Sequence, residues 1–273
     1  MAPLYRKALI IGATSGIGNA LAAKLHGQGT SVIVTGRRRD RLDAFVAAHT
    51  GSDAAVLDIT QLASIPAFAA DITARHPDLD AIVLNAGIQR PFNFAKPETV
   101  DLRLFNDEFT TNYVAFVHLA TAFLPHFQKR SREGERGHLV FVTSTLALLP
   151  TLVRAPGYNA SKAAVHAWVT DLRQQLKDAG YEGIKVVEVF PPAVQTELHD
   201  TKHQPDMVNG GEIGMPLAAF TEKMYEGLVR GDEQFAVGPQ QEWVTNGFEA
   251  ERVRLFQQGQ AAIKQGLARF IKM

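Results

Sequence analysis

The sequence predicts an α/β protein built on a doubly wound parallel sheet of about seven strands, with helices on both faces. Three observations predict it. Short apolar, β-branched runs alternate with helical segments along the chain, which is the pattern of repeated βαβ units. Runs such as 8–11 are apolar at every position, as strands covered on both faces are. The strand ends carry Gly12, Gly36-Arg37, Asp58, Asn85-Ala86-Gly87, Ser144 and Pro191-Pro192. In open α/β sheets ligands bind outside those carboxyl ends.

The elements follow in order. After the strand 8–11 comes a glycine-rich turn and a helix that stops near Gly27 and Gly29. A second strand, 31–35, ends at Gly36 and Arg37-Arg38-Arg39, and a helix over 40–50 follows. The third strand is 54–57, closing on Asp58, and the helix 62–75 is stopped by His76-Pro77-Asp78. Strand 81–84 closes on Asn85-Ala86-Gly87. Residues 105–129 carry the period of one long buried helix. Then come strand 139–143, helix 158–178, strand 185–190, helix 216–229 and a short strand 234–237. Lys129, Arg130, Arg132 and Arg136 read as a solvated basic loop interleaved with Glu133 and Glu135. With no internal repeat, low-complexity tract or linker, residues 1–273 read as one domain. It carries a long loop, 191–215, of a length that is usually functional. It also carries a tail, 239–273. There Val253, Phe256, Ile263, Leu267, Phe270 and Ile271 recur at helical spacing, so a terminal helix docked on its own core is expected.

Composition narrows the function classes. Lys+Arg and Asp+Glu both number 28, so the formal charge is zero, which argues against a nucleic-acid or anionic-membrane surface as the main business. With no cysteine, disulfides, Cys-ligated zinc and thiol nucleophiles are excluded. No apolar run approaches the ~20 residues that span a bilayer. No apolar segment before the first strand suits a signal peptide, so a soluble cytoplasmic protein is expected. His199 and His203 are four apart in the long loop, but no third ligand is identifiable, so no metal is expected.

The turn Gly12-Ala13-Thr14-Ser15-Gly16-Ile17-Gly18 suits a dinucleotide. Unpaired N–H groups at a helix N-terminus receive a pyrophosphate, and glycines let the backbone approach it. Its spacing is G-x-x-x-G-x-G, and alone it is equally an ordinary βα turn. Tyr158 and Lys162 are four apart near the start of a helix, hence on one face. A phenol has a pKa near ~10, and a neighbouring ammonium lowers it toward the range of a useful acid–base. The second Tyr-x-x-x-Lys, Tyr181 and Lys185, straddles Gly183 and enters a strand, so its members share no helix face. Ser144 ends a strand one loop before Tyr158, where its hydroxyl can hold a carbonyl that the tyrosine protonates. A hydrolase serine would need the nucleophile elbow G-x-S-x-G, and Val142-Thr143-Ser144-Thr145-Leu146 lacks it. Asn112, inside an otherwise apolar helix, needs a partner. It marks a water or backbone site or is a satisfied core amide.

Gly12-Ala-Thr-Ser-Gly-Ile-Gly18, Asn85-Ala-Gly87, Asn112, Ser144 and Tyr158-Asn-Ala-Ser-Lys162 occur in that order. Over roughly residues 5 to 240 the chain closely resembles the short-chain dehydrogenase/reductase family. The stretch 85–89 and Pro191-Pro192 look most like its DltE-type oxidoreductases. Leu84 stands where the first Asn of Asn-Asn-Ala-Gly is usual, Pro192 stands where Gly is usual after Pro191, and Ser144 to Tyr158 is one residue longer than the commonest spacing. The resemblance implies a Rossmann-type fold and interconversion of a ketone or aldehyde and an alcohol by hydride transfer. It implies a tetrad of Asn112, Ser144, Tyr158 and Lys162. Tyr158 would be the acid–base, Lys162 would also hold the nicotinamide ribose, and Asn112 would hold a relay water. Asp58 and Ile59 look like adenine-side contacts, and Asn85-Ala86-Gly87 lines the adenosine ribose. Val194 and Thr196 match the positions that meet the carboxamide. A binding module that keeps the nucleotide fold without turnover is the alternative, and it would usually lack the tyrosine or the lysine.

Cofactor choice is read from the end of the second strand. An acid ~20 residues past the glycines receives both ribose hydroxyls in NAD-binding folds. Here Thr35-Gly36-Arg37-Arg38 stands instead. Two guanidinium groups suit a 2′-phosphate, and Thr14 can add a hydroxyl. NADP(H) is therefore expected, with Arg37 the larger contributor. The helices near Phe105 and Tyr158 carry more apolar residues than one buried face requires: Tyr113, Phe116, Val117, Leu119 and Phe123, then Val165, Trp168, Val169 and Leu172. A homodimer or homotetramer through them is expected, with a small-molecule carbonyl or alcohol as substrate.

Overall fold

The computed structural model describes residues 2–201, 203–268 and 270. Seven strands form one parallel sheet in the order β3-β2-β1-β4-β5-β6-β7. They are β1 (Lys7–Ile11), β2 (Ser31–Gly36), β3 (Asp53–Val56), β4 (Ala81–Leu84), β5 (Gly137–Val142), β6 (Ile184–Phe190) and β7 (Gln234–Ala236). The doubly wound parallel sheet predicted from the alternation is thus present. Its order reverses between β1 and β4, and the crevice for a ligand opens at such a switch point.

Strand residues alternate between two cores because successive side chains point to opposite faces. Leu9, Ile11, Ile33, Ile82 and Leu84 pack with α3 (Ile65–Arg75), α5 (Ala115–Arg132) and α6 (Pro156–Asp178). Ala8, Ile10, Val32, Val34 and Val83 pack on the other face with α1 (Gly16–Gly27), α2 (Arg39–Ala48) and α7 (Leu217–Arg230).

Three sequence expectations change. The single helix expected over 105–129 is instead α4 (Leu102–Phe109), a π-helical turn Thr110–Val114, and α5. One extra residue in a turn leaves the apolar period almost intact, so the break is invisible to periodicity. The basic run is not a solvated loop: Lys129, Arg130 and Arg132 lie in the last turn of α5, and buried Arg130 pairs with Glu135 at 2.5 Å. The tail forms α8 (Gln241–Thr245) and α9 (Phe248–Leu267), but only the start of α9 is buried, and near its end the exposed Lys264 pairs with Asp178 of α6 at 2.9 Å. Glu249 is buried and Val253 and Phe256 are half-buried, whereas Ile263 and Leu267 are exposed. Ile271 lies outside the described residues.

The start of α9 is held by charge. His166 of α6 bonds Glu188 of β6 through Nδ1 at 2.9 Å and faces Glu249 through Nε2 at 3.4 Å. Arg252 binds both oxygens of Glu249 at 2.7 and 3.0 Å. Burial disfavours a charged His166 ring, but the two carboxylates outweigh it, and its pKa rises to about 9 although Arg252 works the other way. Arg252 Nη2 also stands 2.5 Å from His166 Nε2, a contact that a neutral ring accepts and a charged ring repels, and the group of four is electroneutral only with the ring protonated. Among the described residues no helix is long and apolar enough to cross a membrane.

Candidate active site

The turn between β1 and α1 is shaped for close approach. Gly12 has φ +84°, and a Cβ there would sit 2.7 Å from Ala86 Cα. A Cβ at Gly18 would meet the Asn85 Nδ2 at 2.6 Å. Asn85 Nδ2 donates to Gly12 O at 3.0 Å, which ties the end of β4 to the turn. Ser15 precedes α1 without capping it through its side chain, and the first N–H groups of a helix have no partner within the helix itself. Gly87 lies opposite, where a Cβ would be 3.4 Å from Asn112 Oδ1 and 3.6 Å from Lys162 Nζ. Glycines therefore line both walls of the β1/β4 crevice, and that lining fits a dinucleotide. Asp58 and Ile59 follow β3 at the same edge. Asp58 Oδ1 accepts from Thr60 N at 3.0 Å and from Thr60 Oγ1 at 2.7 Å, which fixes the turn beside the buried Ile59.

At the end of β2 the two arginines part. Arg37 is exposed. Arg38 turns back to the glycine turn: its Nε and Nη2 donate to Thr14 Oγ1 at 3.0 and 2.7 Å, and Nη2 to Ser15 Oγ at 2.8 Å. The sequence ranks Arg37 first; in this structure Arg37 is exposed and Arg38 is the one that bonds to the turn. Spacing does not say which of two adjacent side chains folds inward.

Asn112, Ser144, Tyr158 and Lys162 meet on the other side of the crevice. The wide π turn presents Asn112, fully buried, to the end of β4. Its Oδ1 accepts from Ile88 N and its Nδ2 donates to Ile88 O, both at 2.9 Å, and Nδ2 also reaches Ser161 Oγ at 3.1 Å. Of the readings open to it, this is a backbone site: the amide clamps the N–H and the C=O of one residue, which belong to two successive peptide units. Ser161 Oγ in turn donates to Tyr158 O at 2.9 Å, so the clamp is coupled to the first turn of α6. Ser144 Oγ accepts from Leu146 N at 3.1 Å. Lys162 Nζ lies 5.6 Å from the Tyr158 ring centroid and donates to Val142 O at 2.9 Å.

Burial pushes the Tyr158 phenol up from its ordinary value; Ser144 opposes the rise and Glu108 adds to it. Burial also lowers the Lys162 ammonium to about 8, with Glu188 opposing. The sequence expects Lys162 to lower the tyrosine, yet in this structure desolvation dominates the phenol. Tyr158 is therefore held protonated, the state in which it donates a proton.

The loop 191–215 closes over this end of the sheet. Its ends are clasped where Val194 bridges Met215, with Gln195 N donating to Met215 O at 3.0 Å. Thr196 packs against Gly16, where a Cβ would be 3.3 Å from the Thr196 side chain. Buried Gln204 donates to Gln89 Oε1 at 2.8 Å and to Leu198 O at 2.9 Å. His199 is buried beside Gln204 while His203 is exposed, and among the described residues no group of three metal-ligating side chains occurs. Sequence reasoning missed Gln89, Gln204, Glu197 and Glu108. Only Glu108 leaves a local signal, an acid one turn before Asn112 in an apolar helix. It is fully buried, with Oε1 accepting from Arg90 N at 3.1 Å and Oε2 without a partner among the described residues.

A parallel sheet with a glycine-lined switch point and a Ser–Tyr–Lys group at its carboxyl ends defines a nucleotide-dependent oxidoreductase architecture. The family profile described as short chain dehydrogenase matches residues 6–206, and the chain belongs to that family. It is similar to "Uncharacterized oxidoreductase DltE" of Bacillus subtilis, with 32% identity over 250 residues, 92% of this chain and 94% of that one. This agrees with the DltE-type resemblance. A short-chain dehydrogenase of Sphingobium yanoikuyae in complex with NADPH superposes with a TM-score of 0.71 at 22% identity, covering 98% and 96% of the two chains. A short-chain dehydrogenase/reductase of Burkholderia phymatum in complex with NAD gives 0.77 at 19%, covering 93% and 96%. At those identities the two structures show the shared fold.

Proposed function

We propose that this chain is an NADP(H)-dependent oxidoreductase that interconverts a ketone or aldehyde and the corresponding alcohol, with Tyr158 as the acid–base. The observation that carries the reading is the meeting of Ser144, Tyr158 and Lys162 beside a crevice walled by glycines on both sides. The nicotinamide supplies or accepts the hydride when bound. The chain's own residues do the rest. Ser144 orients the substrate oxygen, and Tyr158, protonated in its buried setting, donates to that oxygen during reduction. Lys162 places positive charge at the ring and reaches the nicotinamide ribose. Asn112 fixes the backbone on both sides of Ile88 and, through Ser161, the start of α6. In this reading Gly12, Thr14, Ser15, Gly16, Ile17 and Gly18 cradle the phosphates. Asp58, Ile59 and Asn85-Ala86-Gly87 flank the adenosine, and Val194 and Thr196 meet the carboxamide. The presence of both tyrosine and lysine favours turnover over a non-catalytic sensor.

NADP(H) is favoured by Arg37 and Arg38 at the end of β2, where 35–38 carry no acid, and Arg38 directs its fork to Thr14 and Ser15. The complexed neighbours point both ways, one holding NADPH and the other NAD. A cytoplasmic location and a two-fold homo-oligomer complete the reading.

The test is Tyr158→Phe. Cofactor affinity, read by nucleotide fluorescence, is expected to persist while carbonyl reduction falls ~10²–10⁴-fold, the usual worth of general acid–base catalysis. Turnover near wild type would remove Tyr158 from the proton path.

A further inference from the structure

Arg38 and Arg41, with the hydroxyls of Thr14 and Ser15, form a pocket for an anion, and the anion held there belongs to the protein. Glu197, in the 3₁₀ turn Glu197–His199 of the long loop, places Oε2 2.7 Å from Arg38 Nη1 and Oε1 against Arg41 Nη1. The contact spans the crevice mouth, from the loop after β6 to the end of β2. Burial alone would raise the Glu197 carboxyl, but Arg38, Arg41 and Ser15 outweigh it and bring it down to about 2, so it is ionised at any working pH.

Two facts make this pairing exchangeable. The Glu197 and Arg38 side chains are each about one-third exposed, at 33% and 34%. The carboxylate is therefore reachable from solvent, and an incoming anion can replace it without opening a fully buried ion pair. Arg38 commits Nε and Nη2 to Thr14 and Ser15 and one Nη1 donor to Glu197, which leaves a single Nη1 donor, so a second anion that takes two bonds from this guanidinium competes with Glu197. A phosphate bound beside a retained carboxylate would meet like-charge repulsion. An acid in that place also offers what β2 lacks, an acceptor for an unmodified ribose 2′-hydroxyl.

We propose that Glu197 is a cofactor-specificity residue that competes with the 2′-phosphate for Arg38 and Arg41 and so restrains the preference for NADP(H) over NAD(H). The proposal rests on the assignment of Arg38 to the 2′-phosphate. Its source in the fold is the long loop, which delivers an internal competitor to the opposite side of the crevice.

Titration calorimetry of the cofactor-free protein with adenosine 2′,5′-bisphosphate and with 5′-AMP tests it. Glu197→Gln keeps size and removes charge. It is expected to tighten the bisphosphate by about tenfold, the fold-change of one lost charge repulsion of ~1.4 kcal/mol. It should leave 5′-AMP unchanged or weaker. The gain is expected to shrink as salt rises, as screening requires. An unchanged ratio of the two affinities, or equal weakening of both ligands, overturns the proposal. Arg38→Ala separates the two assignments. If it weakens the bisphosphate selectively while Glu197→Gln changes nothing, competition alone is wrong. If it spares the bisphosphate, the phosphate assignment itself fails and the proposal falls with it.

Discussion

Asn112 shows how much one side chain can fix when every polar atom it carries is used. Its carbonyl accepts from Ile88 N–H and its amide donates to Ile88 C=O, so it holds the peptide units on both sides of that residue, and the amide also reaches Ser161. Leaving a buried backbone donor or acceptor unpaired costs ~1–3 kcal/mol. Asn112→Ala is therefore expected to lower unfolding free energy by at least about 2 kcal/mol in urea titration, at nearly constant slope. A loss below about 0.5 kcal/mol would mean that water replaces the clamp. The sequence marks Asn112 as a buried amide needing a partner but does not tell which one, because Ile88 lies 24 residues away. The same limit explains Glu197 and Gln204. Their partners Arg38 and Gln89 are 159 and 115 residues distant, and no local spacing encodes such pairs. Tyr158 and Lys162 were legible for the opposite reason: one helical turn brings them together whatever the rest of the chain does.

At the scale of elements, strands and their ends are read well, because apolar runs and glycines act locally. Strand 81–84 has the observed bounds, and the others differ by one or two residues. The α4–α5 break and the poorly docked α9 are not legible, since both depend on what packs against the helix. The anchor of α9 has its own pH signature. Folding raises the pKa of His166 from ~6.5 to about 9. The imidazolium's contribution is thus complete below pH ~6.5 and is lost as pH climbs through about 9, because the unfolded chain then binds fewer protons than the native one. Its size is no more than ~3 kcal/mol at 1.36 kcal/mol per pKa unit. Thermal or urea unfolding of wild type is expected to show that decline between pH 6.5 and 9, and His166→Gln to flatten it. An equally steep decline in the variant would assign the effect to another group.

For the whole molecule, self-association needs a different argument from the one the sequence offers. Phe116, Leu119, Phe123, Val165, Val169 and Leu172 are buried within the single chain, so the apolar excess is largely consumed by its own core. Tyr113, Val117 and Trp168 remain half-buried on the same helices. A two-fold contact through them is expected to appear as a dimer or tetramer in light scattering at micromolar concentration, and Trp168→Arg to shift the mass toward a monomer. A monomeric wild type would leave these side chains as ordinary surface.

The switch point also sets a schedule. β1 hydrogen-bonds to β4, and the crevice between them is completed by side chains from Tyr158 to Thr196. A chain emerging from the ribosome therefore has its glycine turn early and the far wall late. At ~5–20 residues per second the gap between Gly18 and Thr196 lasts roughly 10–40 s. β1 keeps a bare edge only until β4 has emerged at Leu84, roughly 3–13 s after Gly18 at this rate, and for that time the edge is a template for pairing with another chain.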